Sequence, residues 1–393
     1  MTASLTPGSA RVAIVGGGPV GLFLALALAR AGVAARVFER RTEGRVASRS
    51  IGIHPPSLEL LAELRLADRF IGRGIRVRSA EAHGERGLLG TLDFDRCRPP
   101  YRFVLTLAQA VTEELLRLAL EERAPGSVET REVLGVEPAS DGAVTLRLAG
   151  RGDQPGDVEE RHRYAVVVGC DGKNSVVRRS AGLGFVGGDY VGQYAMADFP
   201  DETSLGATAA IYLGPRGLLE SFPLAGGRRR WVARCIDGEL SGTEALVAHV
   251  GERARVRLDA SEAMHPSSFR AQRFQASRFA KGRIALAGDA AQVVSPIGGQ
   301  GMNLGWLGAR TLAGTIASTL DAGDELAHAL ARDGLARQRL ASAAARRAEI
   351  NMWLGRPLAR PWMRDLLVSG LLGTPVRSIL ASVFTMRGLA LGC

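Results

Sequence analysis

The residues with the clearest chemical meaning are Gly16-Gly17-Gly18-Pro19-Val20-Gly21. They form a G-x-G-x-x-G run between the apolar strand pattern Arg11–Val15 and an apolar helix pattern that ends at Gly32. Gly16 permits a tight turn after the strand, Gly18 lets the backbone approach a pyrophosphate, and Gly21 lets the helix pack closely on the sheet. Pro19 presets the first helical φ, and Val20 follows it into a helix whose free N–H groups and positive dipole end favour phosphate. A second strand, Ala35–Phe38, closes at Glu39, which is placed about 20 residues on to accept hydrogen bonds from ribose hydroxyls; Arg40 stands beside it. Strand, glycine turn, helix, strand and acid in this order point to a dinucleotide site. They do not separate FAD from NAD.

Two later segments add to this. Val166-Val167-Val168-Gly169-Cys170-Asp171-Gly172 is an apolar strand ending in Asp-Gly, which alone is a common turn. Gly282-Arg283-Ile284-Ala285-Leu286-Ala287-Gly288 delivers Asp289 at the end of another strand. The chain then runs through Pro296-Ile297-Gly298-Gly299-Gln300-Gly301-Met302-Asn303 into a new helix. No catalytic triad is apparent, and no metal site is expected. The six histidines, at 54, 83, 162, 249, 265 and 328, make no pairing that spacing reveals, and Cys97, Cys170, Cys235 and Cys393 form no zinc-type spacing. Such cysteines read as free thiols in a reducing cytoplasm.

In this order and at these separations the three motifs resemble the flavoprotein aromatic hydroxylase family, of the para-hydroxybenzoate and salicylate hydroxylase type, over nearly the whole chain. The resemblance implies FAD as cofactor, with Asp289 on its ribityl chain. The loop Gly298–Asn303 would lie at the pyrimidine edge, its helix N-terminus favouring reduced, anionic flavin by about 0.3–1 kcal/mol. Pro296, Gly298 and Gly299 would wall the flavin, with no acid or base assigned. Asp171 and Gly172 match an element with a joint role in FAD and NAD(P)H binding. Arg49, in Ser48–Ile53, matches a pyrophosphate-contacting loop, Gln109 an FAD-contacting glutamine, and Val133 a backbone contact to adenine. Taken singly, Arg49 reads as a surface charge and Gln109 as a helix cap. One departure is Gln292, where the family commonly has His.

The implied reaction consumes NAD(P)H and O2 and hydroxylates or epoxidises a small, mostly apolar or aromatic substrate through a flavin C4a-hydroperoxide. The cofactor carries the difficult step, and the protein supplies a dry, oriented site. A reductase of the geranylgeranyl-reductase type, or a non-redox cyclase or binding protein scaffolded by flavin, would use the same motifs. A flavin halogenase is disfavoured because W-x-W-x-I-P is absent; Trp231 and Trp306 stand alone.

The elements that must position these residues read as an α/β protein: a Rossmann-like FAD-binding domain with an inserted antiparallel β-sheet substrate domain and a helical C-terminus. The expected FAD-binding domain is discontinuous, 1–72, 98–182 and 272–350. The substrate domain takes 73–97 and 183–271, and a helical segment 351–393. A single helix is expected over 55–71, others over 107–122 and 242–253, and a long one from near Met302. In the middle strands, alternate residues make Tyr212, Phe222, Trp231 and Arg234 candidates for a pocket; each taken singly reads equally as sheet core. The net charge of +10 is carried almost wholly by scattered Arg, with only Lys173 and Lys281 as Lys. No basic stripe interleaved with aromatics suggests nucleic acid. No secretory signal or apolar run long enough to span a membrane is expected, although Leu366–Leu391 is apolar, and the protein is expected to be cytoplasmic.

Overall fold

The computed structural model describes residues 10–42, 50–150, 159–235, 242–295, 299–357 and 361–387. The chain opens β1 (Val12–Val15), α1 (Pro19–Arg30), β2 (Ala35–Glu39), β3 (Gly52–Ile53), α2 (Pro55–Glu63) and α3 (Ala67–Ile71). There follow β4 (Ile75–Val77), β5 (Ser79–Gly84), β6 (Gly87–Asp93), β7 (Val104–Thr106) and α4 (Gln109–Arg123). Next come β8 (Val128–Thr130), β9 (Val133–Pro138), β10 (Val144–Leu148), β11 (Glu160–Tyr164), β12 (Val166–Gly169) and α5 (Val176–Ser180). The middle holds β13 (Phe185–Pro200), β14 (Ala209–Gly214), β15 (Gly217–Leu224), β16 (Arg228–Cys235), α6 (Thr243–Ala254) and β17 (Met264–Ala276). The last part is β18 (Ala280–Lys281), β19 (Ile284–Leu286), β20 (Gln292–Val293), α7 (Gln300–Thr319), α8 (Glu325–Leu354), α9 (Pro361–Gly373) and α10 (Arg377–Phe384).

β1, β2, β8, β12 and β19 pair in parallel in a six-stranded sheet of order β18-β19-β12-β1-β2-β8, with β18 antiparallel at the edge. The uninterrupted apolar text of β1 and β12 follows from cover on both faces. Val12, Ile14, Val166 and Val168 pack with α1, α4 and α7. Ala13, Val15 and Val167 pack with Val136, Val144 and Leu146 of the three-stranded sheet β11-β10-β9.

The 55–71 helix is two helices. Arg65 takes φ +60 and donates its N–H to Ala62, while Leu66 donates to Leu61, so α2 ends in a left-handed cap at a residue that is not glycine. Propensity gave no warning, because Arg is a good helix former.

An eight-stranded sheet, β20-β17-β13-β16-β15-β14-β5-β6, fills the middle; it is antiparallel except where β14 meets β5. It reaches past residue 271: β17 runs to Ala276, and β20 joins from the segment that also carries Asp289. One face packs on α6 through Leu219, Trp231, Leu246 and Val250. The other carries Tyr194, Met196, Leu218 and Val232 and meets Met352 of α8 and Val368 of α9. A fourth sheet, β3-β7-β4, lies against β15, where Thr106 Oγ1 donates to Pro223 O at 2.6 Å. α8 runs unbroken across position 350. Among the described residues no single helix is long and apolar enough to cross a membrane; α9 and α10 meet at 101°.

Candidate functional site

The glycines of the first turn serve different ends. Gly16 has φ +107, and a Cβ there would sit 2.4 Å from Cys170 O; a Cβ at Gly21 would sit 2.0 Å from Gly16 O. Both are required by the protein's own packing. Gly18 is extended, φ −77 and ψ −177, and a Cβ there would meet nothing within 4 Å. Its bareness serves no neighbour in the chain, so the space beside it suits a group from outside.

Glu39 is buried at the end of β2. Its Oε2 accepts from Gly17 N at 2.8 Å, and its Oε1 accepts from Arg41 N at 3.0 Å and Arg41 Nε at 3.1 Å. Burial pushes the carboxyl up, but the hydrogen bonds from Arg41 and Gly17 outweigh it and hold Glu39 below the usual range. It is therefore a charged acceptor beside the glycine turn, with lone pairs left over. Arg41, not Arg40, is its partner. Arg40 is 72% exposed and lies 3.9 Å from Glu132.

Asp171 follows β12, next to Gly16. Its Oδ2 accepts from Val176 N at 2.7 Å and Val177 N at 3.2 Å, which caps the short helix α5. Its Oδ1 is buried with no partner among the described residues, and burial raises its pKa despite those bonds. Gly172 has φ +79 and open space where a Cβ would be. Arg178 ties this turn to the third motif, donating to Lys173 O at 2.7 Å and Ala290 O at 2.9 Å. The sequence reading missed it; a buried Arg in a five-residue helix gives no periodic signal.

Asp289 lies in a single turn of 3-10 helix after β19, exposed. Val20 fills the space between this turn and α7: a Cβ at Gly288 would lie 3.1 Å from it, and one at Gly305 only 2.5 Å. Trp306 Nε1 donates to Pro19 O at 2.9 Å. The first and third motifs are thus packed directly on each other.

Gly299 caps α7 in the left-handed region, φ +64, and Gln300 behind it is buried, with Oε1 unpartnered among the described residues. A Cβ at Gly301 would make only ordinary contact with Val294, and Met302 turns inward to the core. Asn303, fully buried, accepts from His54 N at 2.9 Å and donates to Gly52 O and Gly299 O, both at 2.8 Å. It fastens the turn to β3. Asn303→Ala should cost about 3 kcal/mol or more, since three buried bonds lose one partner. Urea unfolding of the flavin-free variant measures it; a loss below about 1 kcal/mol would contradict the clamp. Pro296, Gly298 and Arg49 lie outside the described residues.

Gln109 is the first residue of α4, and its Nε2 donates to Glu113 Oε1 at 2.7 Å. Val133 begins β9 and is buried, paired with Leu148 of β10. Gln292 pairs with Gln275 across β20 and β17, its Oε1 buried without a partner among the described residues.

The four pocket candidates do not share a face. Tyr212 and Trp231 turn toward α6, where Trp231 is fully buried and Tyr212 stacks on His83 at 4.8 Å. Phe222 packs on the opposite face with Phe94 and Phe384, and Arg234, of the same parity as Val232, donates to Val191 O at 3.1 Å. The pairing Tyr212↔Leu219↔Ala233 and Glu220↔Val232 fixes this split, and composition alone does not reveal register. Trp231 and Tyr212 are therefore core of the α6 side.

Known proteins resemble this chain closely. A 6-methylpretetramide 4-monooxygenase of Streptomyces rimosus is 33% identical over 324 residues, 79% of this chain and 56% of the relative. A dialkyldecalin synthase of Streptomyces rugosporus is 34% identical over 346 residues, 81% of this chain and 69% of the relative. The crystal structure of the p-nitrophenol 4-monooxygenase PnpA from Pseudomonas putida superposes with TM-score 0.81 at 23% identity, over 97% of this chain and 98% of that one, and so speaks for the fold. The chain spans about three-fifths of the length of the first curated relatives it matches. The family described as FAD binding domain matches residues 9–347, and with the glycine turn, Glu39 and the Asp289 turn packed as one unit, this chain belongs to that FAD-binding family.

Proposed function

We propose that the protein is an FAD-dependent monooxygenase that uses NAD(P)H and O2 to hydroxylate or epoxidise a small aromatic or largely apolar substrate. The observation that carries the reading is the arrangement around Val20. Gly18 with its empty flank stands beside charged Glu39, which Gly17 holds, and Val20 of the same turn packs on both the Asp289 turn and α7, whose start is clamped by Asn303, as an extended dinucleotide would need. On this reading Gly18 and the start of α1 face the pyrophosphate and Glu39 the adenosine ribose. Asp289 faces the ribityl chain, and the start of α7 the flavin pyrimidine edge. Bound FAD supplies the redox chemistry, taking a hydride from NAD(P)H and activating O2 once reduced.

The chain's own part is binding, orientation and dryness. The N–H groups at the start of α7 favour negative charge. The sheet face carrying Met196, Leu218, Phe222 and Val232 keeps water from the substrate. Asp171, whose Oδ1 has no partner among the described residues, is proposed to act in both FAD and nicotinamide binding. Relatives named as monooxygenases support the reading.

The test is a ligand screen on the flavin-loaded protein, following O2 uptake, NADPH oxidation and product mass under isotopically labelled O2. One labelled oxygen per product is expected. A ligand turned over without O2 uptake would overturn the monooxygenase reading.

A further inference from the structure

Four acidic residues are buried as whole residues among the described ones: Glu39, Glu113, Asp198 and Glu220. Glu39 and Glu113 accept hydrogen bonds from Gly17 and Gln109, and Asp198 forms a two-pronged pair with Arg230, at 2.6 and 2.8 Å. Glu220, 5% exposed, has neither hydrogen bond nor ion pair among the described residues. An isolated buried carboxyl costs several kcal/mol if ionised, and such a group usually marks a place where something else arrives.

Its place is the middle of β15, between Ile211 of β14 and Val232 of β16. Strand alternation puts it with Leu218 and Phe222, on the face away from α6. Two routes join that face to the turn at the start of α7. Tyr194 OH reaches Met352 Sδ at 3.8 Å, and Ser295 Oγ reaches the same sulfur at 3.2 Å from just before the turn. Three residues along β15, roughly 10 Å, Pro223 O accepts from Thr106, which pairs with Gly52, the residue Asn303 holds.

We propose that Glu220 is a specificity-determining residue, whose carboxyl hydrogen-bonds a hydroxyl or carbonyl group of an uncharged aromatic substrate and discriminates against carboxylate-bearing ones. This rests on the monooxygenase reading for the word substrate, but not for the binding itself. Burial pushes the Glu220 carboxyl up to about 8, so near neutral pH it is mostly protonated and can both donate and accept. Arg230 does not neutralise it, being held by Asp198. An anionic ligand would meet a group that can become negative among apolar neighbours, with Arg230 engaged by Asp198 and Arg234 turned to Val191 O.

The experiment measures dissociation constants of 2-naphthol, 2-methylnaphthalene and 2-naphthoate from changes in the oxidised flavin spectrum, at pH 6.5, on wild type, Glu220→Gln and Glu220→Leu. Wild type should bind 2-naphthol about tenfold more tightly than 2-methylnaphthalene, the worth of one good hydrogen bond, and 2-naphthoate more weakly still. Glu220→Gln should keep the preference for 2-naphthol, and Glu220→Leu should abolish it while retaining 2-methylnaphthalene. Unchanged 2-naphthol binding in Glu220→Leu at equal flavin loading, preference of wild type for 2-naphthoate, or no binding of any probe would each overturn the proposal. Failure of the monooxygenase reading would look different: the expected binding pattern intact, with no O2 consumed.

Discussion

Gly18→Val should give a folded protein with an unchanged thermal midpoint in its flavin-free form, and with FAD affinity lowered by two orders of magnitude or more. The backbone there is extended and accepts any residue, and the added carbons meet no protein atom within 4 Å of the Cβ position. Stability should change by less than about 0.5 kcal/mol, as for an ordinary surface substitution. The pyrophosphate, by contrast, has to come against that backbone, and a side chain holds it off; about 3 kcal/mol of lost binding corresponds to the expected hundredfold. Quenching of flavin fluorescence on titration and thermal melts of the flavin-free proteins measure the two quantities. Gly21→Val is the contrasting control: with a Cβ 2.0 Å from Gly16 O it should disturb the turn itself and lower the midpoint. Gly18→Val that binds FAD like wild type would remove the glycine turn from the cofactor site.

Glu220→Gln should stabilise the fold, and by more as the pH rises. The Glu220 carboxyl is pushed up to about 8 by burial, against an ordinary value near 4.5. Between those values the unfolded chain has released the proton and the folded chain has kept it. Rising pH therefore favours unfolding across that window, and the penalty is complete above about pH 8. Its size is on the order of 3–5 kcal/mol at most. Tyr190, Tyr194 and Asp198 on β13, Arg230 and Arg234 on β16, Arg273 on β17, Glu349 of α8, Arg356 beyond it, and Arg364 and Asp365 of α9 are the other charged or titratable groups on this side. Asp198 and Arg230 cancel as a pair, and the Tyr194 hydroxyl, pushed up to about 12 chiefly by burial, stays neutral in the window. Glutamine removes the proton-linked penalty, so the variant and wild type should differ little at pH 4.5 and by several degrees at pH 9. A midpoint difference that does not grow with pH would mean Glu220 titrates as an ordinary surface carboxyl. A residue that weakens the empty protein at neutral pH and above, yet stands where a substrate would lie, fits a site tuned for binding rather than for stability.

What could be read from the sequence was whatever depends on local period and on glycine. Arg11–Val15 and Val166–Val168 had to be doubly covered strands because they lack a polar face, and the 16–21 turn had to precede a helix. Glu39 was legible by distance from that turn. Side-chain facing in the middle sheet was not: Tyr212 and Trp231 part company with Phe222 and Arg234 because of register, set by partners far away in sequence. The long-range roles of Arg178, Thr106 and His54 were invisible for the same reason, since each joins parts of the chain 100 or more residues apart. The Asp-Gly turn and Asn303 were legible as residues to watch, but not the internal bonds they make: Asp171 caps α5, and Asn303 clamps the turn to β3. Glu220 gave no local signal, because one acid in an apolar strand is indistinguishable from an outward-facing residue until its partners are known.

Val20 touches the Asp289 turn on one side and α7 on the other, while standing in the glycine turn itself. On the proposed reading the two turns work as a caliper. One jaw is the Gly18 flank, the other is the Asp289 turn with the start of α7, and a single isopropyl group sets the gap. Discrimination among flavins then becomes partly a matter of length. On the proposed placement of FAD, FMN would reach the Asp289 jaw only and leave the pyrophosphate and ribose contacts of Gly18 and Glu39 unmade, so length and those contacts together favour FAD.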